Sequence, residues 1–187
     1  MKCLILVLFL DVIASLNAQD KSNIRVEAGY NLAATTFDGA DETDQRHGFH
    51  VGLYSESFIS ESYSIQPEIL YSQQGYKITN SSGTFTQKLD YINVPVLLKA
   101  YLSPNFFLEV GPQIGLAISH KEEYNGIFNG SLSYNPTNFD WGFNFGGGLK
   151  TDSGINLGVR YHLGLEDLYD EGKAQNRVLP FSIGFDL

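Results

Sequence analysis

Eight segments of the sequence alternate apolar and polar residues with a period of two, the pattern of strands whose two faces meet different surroundings. In the first, Ile24, Val26, Ala28, Tyr30 and Leu32 interleave with Arg25, Glu27, Gly29 and Asn31. The others run over 49–54, 63–71, 92–102, 106–115, 139–146, 155–163 and 179–187, and no amphipathic helix stands between them. The connections carry a second regularity. Ser60-Glu61-Ser62, Ser103-Pro104-Asn105 and Thr151-Asp152-Ser153-Gly154 are tight, whereas 37–46, 76–86, 121–138 and 166–177 are longer and polar. Short and long connections therefore take turns. All tight turns fall at one end of the sheet and all long loops at the other, the arrangement of a membrane barrel.

Alternation alone leaves open which face looks outward. In a soluble lipocalin-like barrel the apolar set converges on a core; in a membrane barrel it faces acyl chains. Here the apolar set is nearly free of charge across all eight segments, while the opposite set is rich in glycine and carries single charges of both signs. Aromatic residues stand near strand ends on the apolar side: Tyr30, Phe49, Tyr63, Tyr71, Phe106, Phe139, Trp141 and Phe181. Interfacial girdles belong there. The expected fold is an all-β, eight-stranded antiparallel up-and-down transmembrane barrel, its short turns periplasmic and its longer loops external.

Residues 1–18 read as an export signal: Lys2, an apolar run over 4–10, then Ala14-Ser15-Leu16-Asn17-Ala18 with the cut after Ala18. The mature barrel domain is then 19–187. The one cysteine, Cys3, lies in that signal, so a disulfide cannot close the exported fold. A net charge of -9 argues against a nucleic-acid partner, because phosphate contacts need clustered Lys and Arg.

Four stretches in order carry a family resemblance: Ile92-Asn93-Val94-Pro95-Val96-Leu97-Leu98-Lys99, Phe107-Leu108-Glu109-Val110-Gly111-Pro112-Gln113-Ile114-Gly115, Phe139-Asp140-Trp141-Gly142, and Leu157-Gly158-Val159-Arg160-Tyr161-His162-Leu163-Gly164-Leu165. The chain resembles the PorT-like outer membrane protein β-barrel domain family, often labelled porin-family protein, from about Asn23 to Leu187. The resemblance implies an outer-membrane barrel inserted by the barrel assembly machinery and surrounded by outer-membrane lipid; it implies no substrate.

The polar face supplies the site candidates. Arg25, Glu27, Glu68, Lys99, Glu109, Asp140, Arg160 and His162 form an expected lumen network, with Arg160, Glu109 and Glu68 as an ion-paired core. His50 and His162 lack the HxH or HExxH spacing of a metal site, and read as hydrogen-bonded lumen residues. Gly146-Gly147-Gly148 lacks the Lys-Ser/Thr of a phosphate loop and reads as a place of close strand approach. Pro67, Pro95 and Pro112 each remove a ladder donor, so bulges or broken pairing are expected there. The acidic stretches Asp38, Asp41, Glu42, Asp44 and Glu166, Asp167, Asp170, Glu171 lack calcium-loop spacing and read as solvated charge. Tyr124, Phe128 and Tyr134, placed in the fifth connection, offer aromatic surface for a protein or glycan.

No catalytic, cofactor or metal residues are assigned. The expected function is structural or interaction-based, with external loops contacting a partner. A narrow porin-like channel or an accessory to protein secretion is the alternative, and a barrel enzyme ranks below both.

Overall fold

The structure is a computed structural model that describes residues 24–37, 43–126, 137–169 and 173–185. Among the described residues there are nine strands: β1 Ile24–Phe37, β2 Asp44–Ser55, β3 Ser57–Phe58, β4 Tyr63–Asn80, β5 Gly83–Ser103, β6 Phe106–Gly126, β7 Phe139–Lys150, β8 Ile155–Gly164 and β9 Ala174–Phe185. They pair antiparallel in the order β2-β1-β9-β8-β7-β6-β5-β4-β3, and β2 also pairs with β4. That last pairing closes the sheet into a ring and removes its edges. Because β3 continues β2 after a break at Glu56 and both lie against β4, the wall is eight strands around.

The greasy face points outward. Leu53, Ile69, Leu108, Val110, Phe145 and Phe181 are exposed, whereas Asn31, Ser64, Gln66, Glu68, Asn144 and Asn176 are at most 2% exposed. This is the inverse of a soluble barrel, and it is stable only where hydrocarbon replaces water around the belt. Among the described residues no helix is long and apolar enough to cross a membrane; the crossing elements are strands.

Two expectations need correction. Residues 76–86 are not a loop: β4 runs to Asn80, turns through Ser81 and Ser82, and β5 returns from Gly83. β6 likewise continues to Gly126, ten residues past Leu116, where pairing with β7 stops. Three strands therefore stand beyond the rest of the wall as one projecting sheet. At the prolines the ladder is interrupted without a bulge. Pairing lapses between Pro67 and Leu70 against Val96 and Asn93, and between Pro95 and Leu98 against Gln113 and Val110, with equal residue counts on both sides. A missing N–H removes bonds but need not shift register. The register shifts lie elsewhere, between Gln45 and His50, between Asp90 and Tyr91, and between Tyr101 and Ser103.

Candidate functional site

The inward side chains form layers across the lumen. At the short-turn end Glu56, two residues on from the inward Tyr54, carries its carboxylate into the lumen at the break between β2 and β3, and its side chain is 1% exposed. It accepts hydrogen bonds from Arg25 at 2.6 Å, Tyr101 at 2.5 Å, Ser64 at 2.8 Å and Lys150 at 3.3 Å. Burial by itself pushes this carboxyl up; Lys99, the Tyr101 hydroxyl, Lys150 and the Ser64 hydroxyl outweigh it and hold the pKa down at about 2. Arg25 thus belongs to this rim cluster, centred on Glu56.

The middle layer is built on Arg160. Its Nε donates to Glu109 at 2.7 Å, and its two terminal nitrogens donate to Glu68 at 2.9 and 3.0 Å. Gln66 donates to Glu68 at 2.6 Å. Lys99 stands 3.8 Å from Glu109 and 4.0 Å from the centre of the Phe107 ring. Glu27 lies 4.0 Å from His50. Arg160 and Glu109 sit on strands that are not neighbours; both are opposite Gly146 on β7, which lies between them. A Cβ on Gly146 would come within 3.1 Å of the Glu109 carboxylate and 2.6 Å of the Val159 carbonyl. The glycine leaves the corridor through which the two charges meet.

The same device joins His50 to Ser182. Both are opposite Gly29, and His50 Nε2 reaches the Ser182 hydroxyl at 2.9 Å while its Nδ1 meets Asn31 at 2.8 Å. A Cβ on Gly29 would stand 2.4 Å from the imidazole. Ser182, His50 and Asn31 have the connectivity of a nucleophile, base and orienting group, a set the sequence reading missed because its members meet only through register. The space beside it is small. His50 and His162 line one cavity of about 20 Å³, and Glu27, Tyr54 and Ser182 line a second of similar size. Each holds about one water and neither admits a substrate. Arg160 borders both, so the ion-paired layer stands between them.

Above Arg160, His162 contacts Asn144 at 3.1 Å and Asp140 at 3.3 Å, and Asn176 donates to Asp140 at 3.2 Å and to Tyr91 at 3.3 Å. Asp140 and His162 therefore form a layer of their own. Leu168, from the β8–β9 connection, then closes the long-connection end. It packs with Leu89, Tyr91 and Ala174, with Phe37, Ala117 and Tyr169 around them. Its carbonyl accepts from Thr137 at 2.7 Å, its N–H donates to Ala174 at 2.8 Å, and the Tyr169 and Tyr76 hydroxyls meet at 2.9 Å. Among the described residues no cluster of three His, Cys, Asp or Glu side chains could hold a metal.

The projecting sheet has two faces. Gln74, Leu89 and His120, then Tyr76, Gln87 and Glu122, then Ile78, Phe85 and Tyr124 continue the inward rows. The opposite face carries Gln73, Asp90 and Ser119, then Gly75, Lys88 and Lys121, then Lys77, Thr86 and Glu123, with Asp44 at the end of β2 opposite Lys77. Tyr124 is a strand residue of β6, not a loop residue, and its hydroxyl donates to the Ser82 carbonyl at 3.1 Å. Phe128 and Tyr134 lie outside the described residues, as do Asp38, Asp41, Glu42, Asp170 and Glu171.

No curated protein matches the sequence. Solved structures with the same fold include neisserial surface protein A, at 15% identity and a TM-score of 0.61, covering 89% of this chain and 98% of that one. The attachment invasion locus protein Ail of Yersinia pestis matches at 12% identity and 0.51, covering 87% and 96%. The same protein in complex with the heparin analogue sucrose octasulfate matches at 15% and 0.50, covering 88% and 97%. The family model described as outer membrane protein beta-barrel domain matches residues 17–170 and the wall is a closed, inverted eight-strand barrel; the chain belongs to that family of outer-membrane barrels.

Proposed function

We propose that this barrel works by presenting a surface to a partner rather than by conducting or transforming a solute. One observation carries the reading: the lumen is filled by Arg160 and its carboxylates and capped by Leu168, while β4, β5 and β6 rise beyond the wall. Eight strands leave an interior that side chains fill, so a narrow channel finds no support in this geometry. The Ser182–His50–Asn31 set faces a space too small for a substrate. The row Ile78, Phe85 and Tyr124, on the inner face of the projecting sheet, offers apolar and aromatic surface of the kind protein and glycan contacts use. Ail, which shares the fold, has been solved with a sulfated glycan analogue; a glycan is accordingly one partner class for this chain, a protein the other.

The reading extends to its setting. Residues 1–18 direct export, the barrel assembly machinery inserts residues 19–187, and the chain sits in the PorT-like branch of its family. A photo-reactive side chain placed at Tyr124 in cells should give adducts of discrete mass, and the same group at Ile69 in the lipid belt should give none. Absence of adducts at 124 rejects the reading. Stepwise conductance of the purified wild-type barrel in planar bilayers rejects it independently.

A further inference from the structure

The outer face of the projecting sheet departs from the rest of the chain in charge. On an acidic protein of net charge -9 it gathers Lys77, Lys88 and Lys121 on three neighbouring strands. Lys88 and Lys121 are directly opposite each other, a placement that is unfavourable in an isolated sheet. Lys77 stands one rung above, diagonal to Lys88. Lys88 binds Glu123 at 2.5 Å, with both side chains substantially exposed. Asp90 is the second carboxylate on this face, and its field, like that of Glu123, acts on Arg46, whose guanidinium donates to the Gln74 carbonyl. Asp44 of β2 is directly opposite Lys77 and is the third carboxylate here. Three ammonium groups and a guanidinium thus face three carboxylates, and among the described residues Lys77 and Lys121 make no ion pair.

The height of the cluster indicates what meets it. The last paired apolar rung of the belt is Tyr71, Ile92 and Leu116, with the unpaired, exposed Ile118 just beyond it on β6; the lysine rung of Gly75, Lys88 and Lys121 is two rungs further out. Four residues of strand are roughly 13 Å along a tilted path, which puts the ammonium groups level with lipid headgroups. Long lysine stems lie along apolar surface while their heads seek anions, and basic residues at a membrane surface bind anionic headgroups cooperatively with the bilayer.

We infer that Lys77, Lys88 and Lys121 form a binding site for a phosphate-bearing headgroup of an outer-leaflet lipid, held against the outer face of the projecting sheet. The site is distinct from the partner surface on the inner face and does not depend on it.

The test uses the full barrel reconstituted in phosphatidylcholine nanodiscs doped with bisphosphorylated lipid A or with its dephosphorylated form. Retained glycolipid is measured by mass spectrometry after detergent washing, and folding is checked by heat-modifiable gel mobility. The folded wild type should retain the phosphorylated lipid at least tenfold better than K77Q/K88Q/K121Q, and better than the dephosphorylated form. Glu123→Gln, which removes a competing carboxylate, should raise retention. Equal retention by the folded triple variant overturns the inference. So does equally tight binding of the phosphorylated headgroup sugar without its acyl chains, which would make the ligand a soluble anion. If the triple variant fails to fold, Lys121→Gln alone must lower retention and Glu123→Gln must raise it; failure of either overturns the proposal.

Discussion

Arg160 holds Glu68 through both terminal guanidinium nitrogens, at 2.9 and 3.0 Å, across the centre of the lumen. With Nε committed to Glu109, all three nitrogens of the fork are engaged within a layer where Arg160, Glu68 and Glu109 are at most 6% exposed. A buried pair of this kind offsets its desolvation only while every partner is present.

Arg160→Met should therefore destabilise the barrel by about 3–5 kcal/mol, because it strands two carboxylates in a sealed interior. Urea unfolding in lipid vesicles, followed by loss of the fast-migrating unheated band, measures it. Glu68→Gln with Glu109→Gln in the same chain should restore part of the loss. Gly146→Ala should also destabilise, since its Cβ intrudes on both Glu109 and the Val159 carbonyl. A neutral Arg160→Met would show that the layer contributes nothing to folding.

Glu56 gives the fold a dependence on acid. Its folded pKa of about 2 lies below the ordinary 4.5, so folding favours the ionised form. The contribution is complete above pH 4.5 and disappears as pH falls from 4.5 toward 2, amounting to about 3 kcal/mol at neutral pH. Glu56→Gln should be less stable than wild type at pH 7 by that order, and the gap should close by pH 2. A gap that is constant with pH would mean that the carboxylate's charge is not what the rim cluster uses.

The belt was legible because one face of each strand is greasy: Ile69 outward and Glu68 inward follow from neighbours alone. Beyond the belt the signal vanishes. Gln73, Gln74, Gly75, Tyr76 and Lys77 are polar or mixed on both faces, since water replaces lipid outside and the lumen stays polar inside, and a strand there reads as a loop. The polar character of Glu27, Glu68, Glu109 and Arg160 was visible, and so was Arg160 with Glu68 and Glu109 as an ion-paired core; the register that brings the partners together was not. Which charges meet depends on register and on glycines such as Gly29 and Gly146, whose missing side chains let residues two strands apart touch. The break at Glu56 had no local marker, because Ser55-Glu56-Ser57 has no proline or glycine to announce it. An inward glycine flanked by polar residues on both neighbouring strands is the signal that would have found Ser182–His50–Asn31.

Leu168 caps the lumen without being its only barrier. Leu168→Ala should cost about 2–5 kcal/mol through the cavity it leaves among Leu89, Tyr91 and Ala174. It should leave planar bilayers silent, because the Arg160 layer still crosses the interior. Conductance in Leu168→Ala alone would show that the cap, and not the ion-paired layer, seals the barrel.

The outward rows decide the surroundings of the protein. Ile69 is 57% exposed and flanked by Leu53 on β2, itself 50% exposed, in the middle of the wall. In water, Ile69→Arg would be neutral or would aid solubility. In a bilayer the guanidinium must enter hydrocarbon, which costs about 2–4 kcal/mol near the midplane and little near the interfaces. Introducing Arg at Ile69 and at Lys77 separately should destabilise the first variant in vesicles and leave the second close to wild type. Urea midpoints that are equal for both would place the Ile69 row in water, since only a lipid environment makes an exposed arginine costly at one height of the wall and harmless at another.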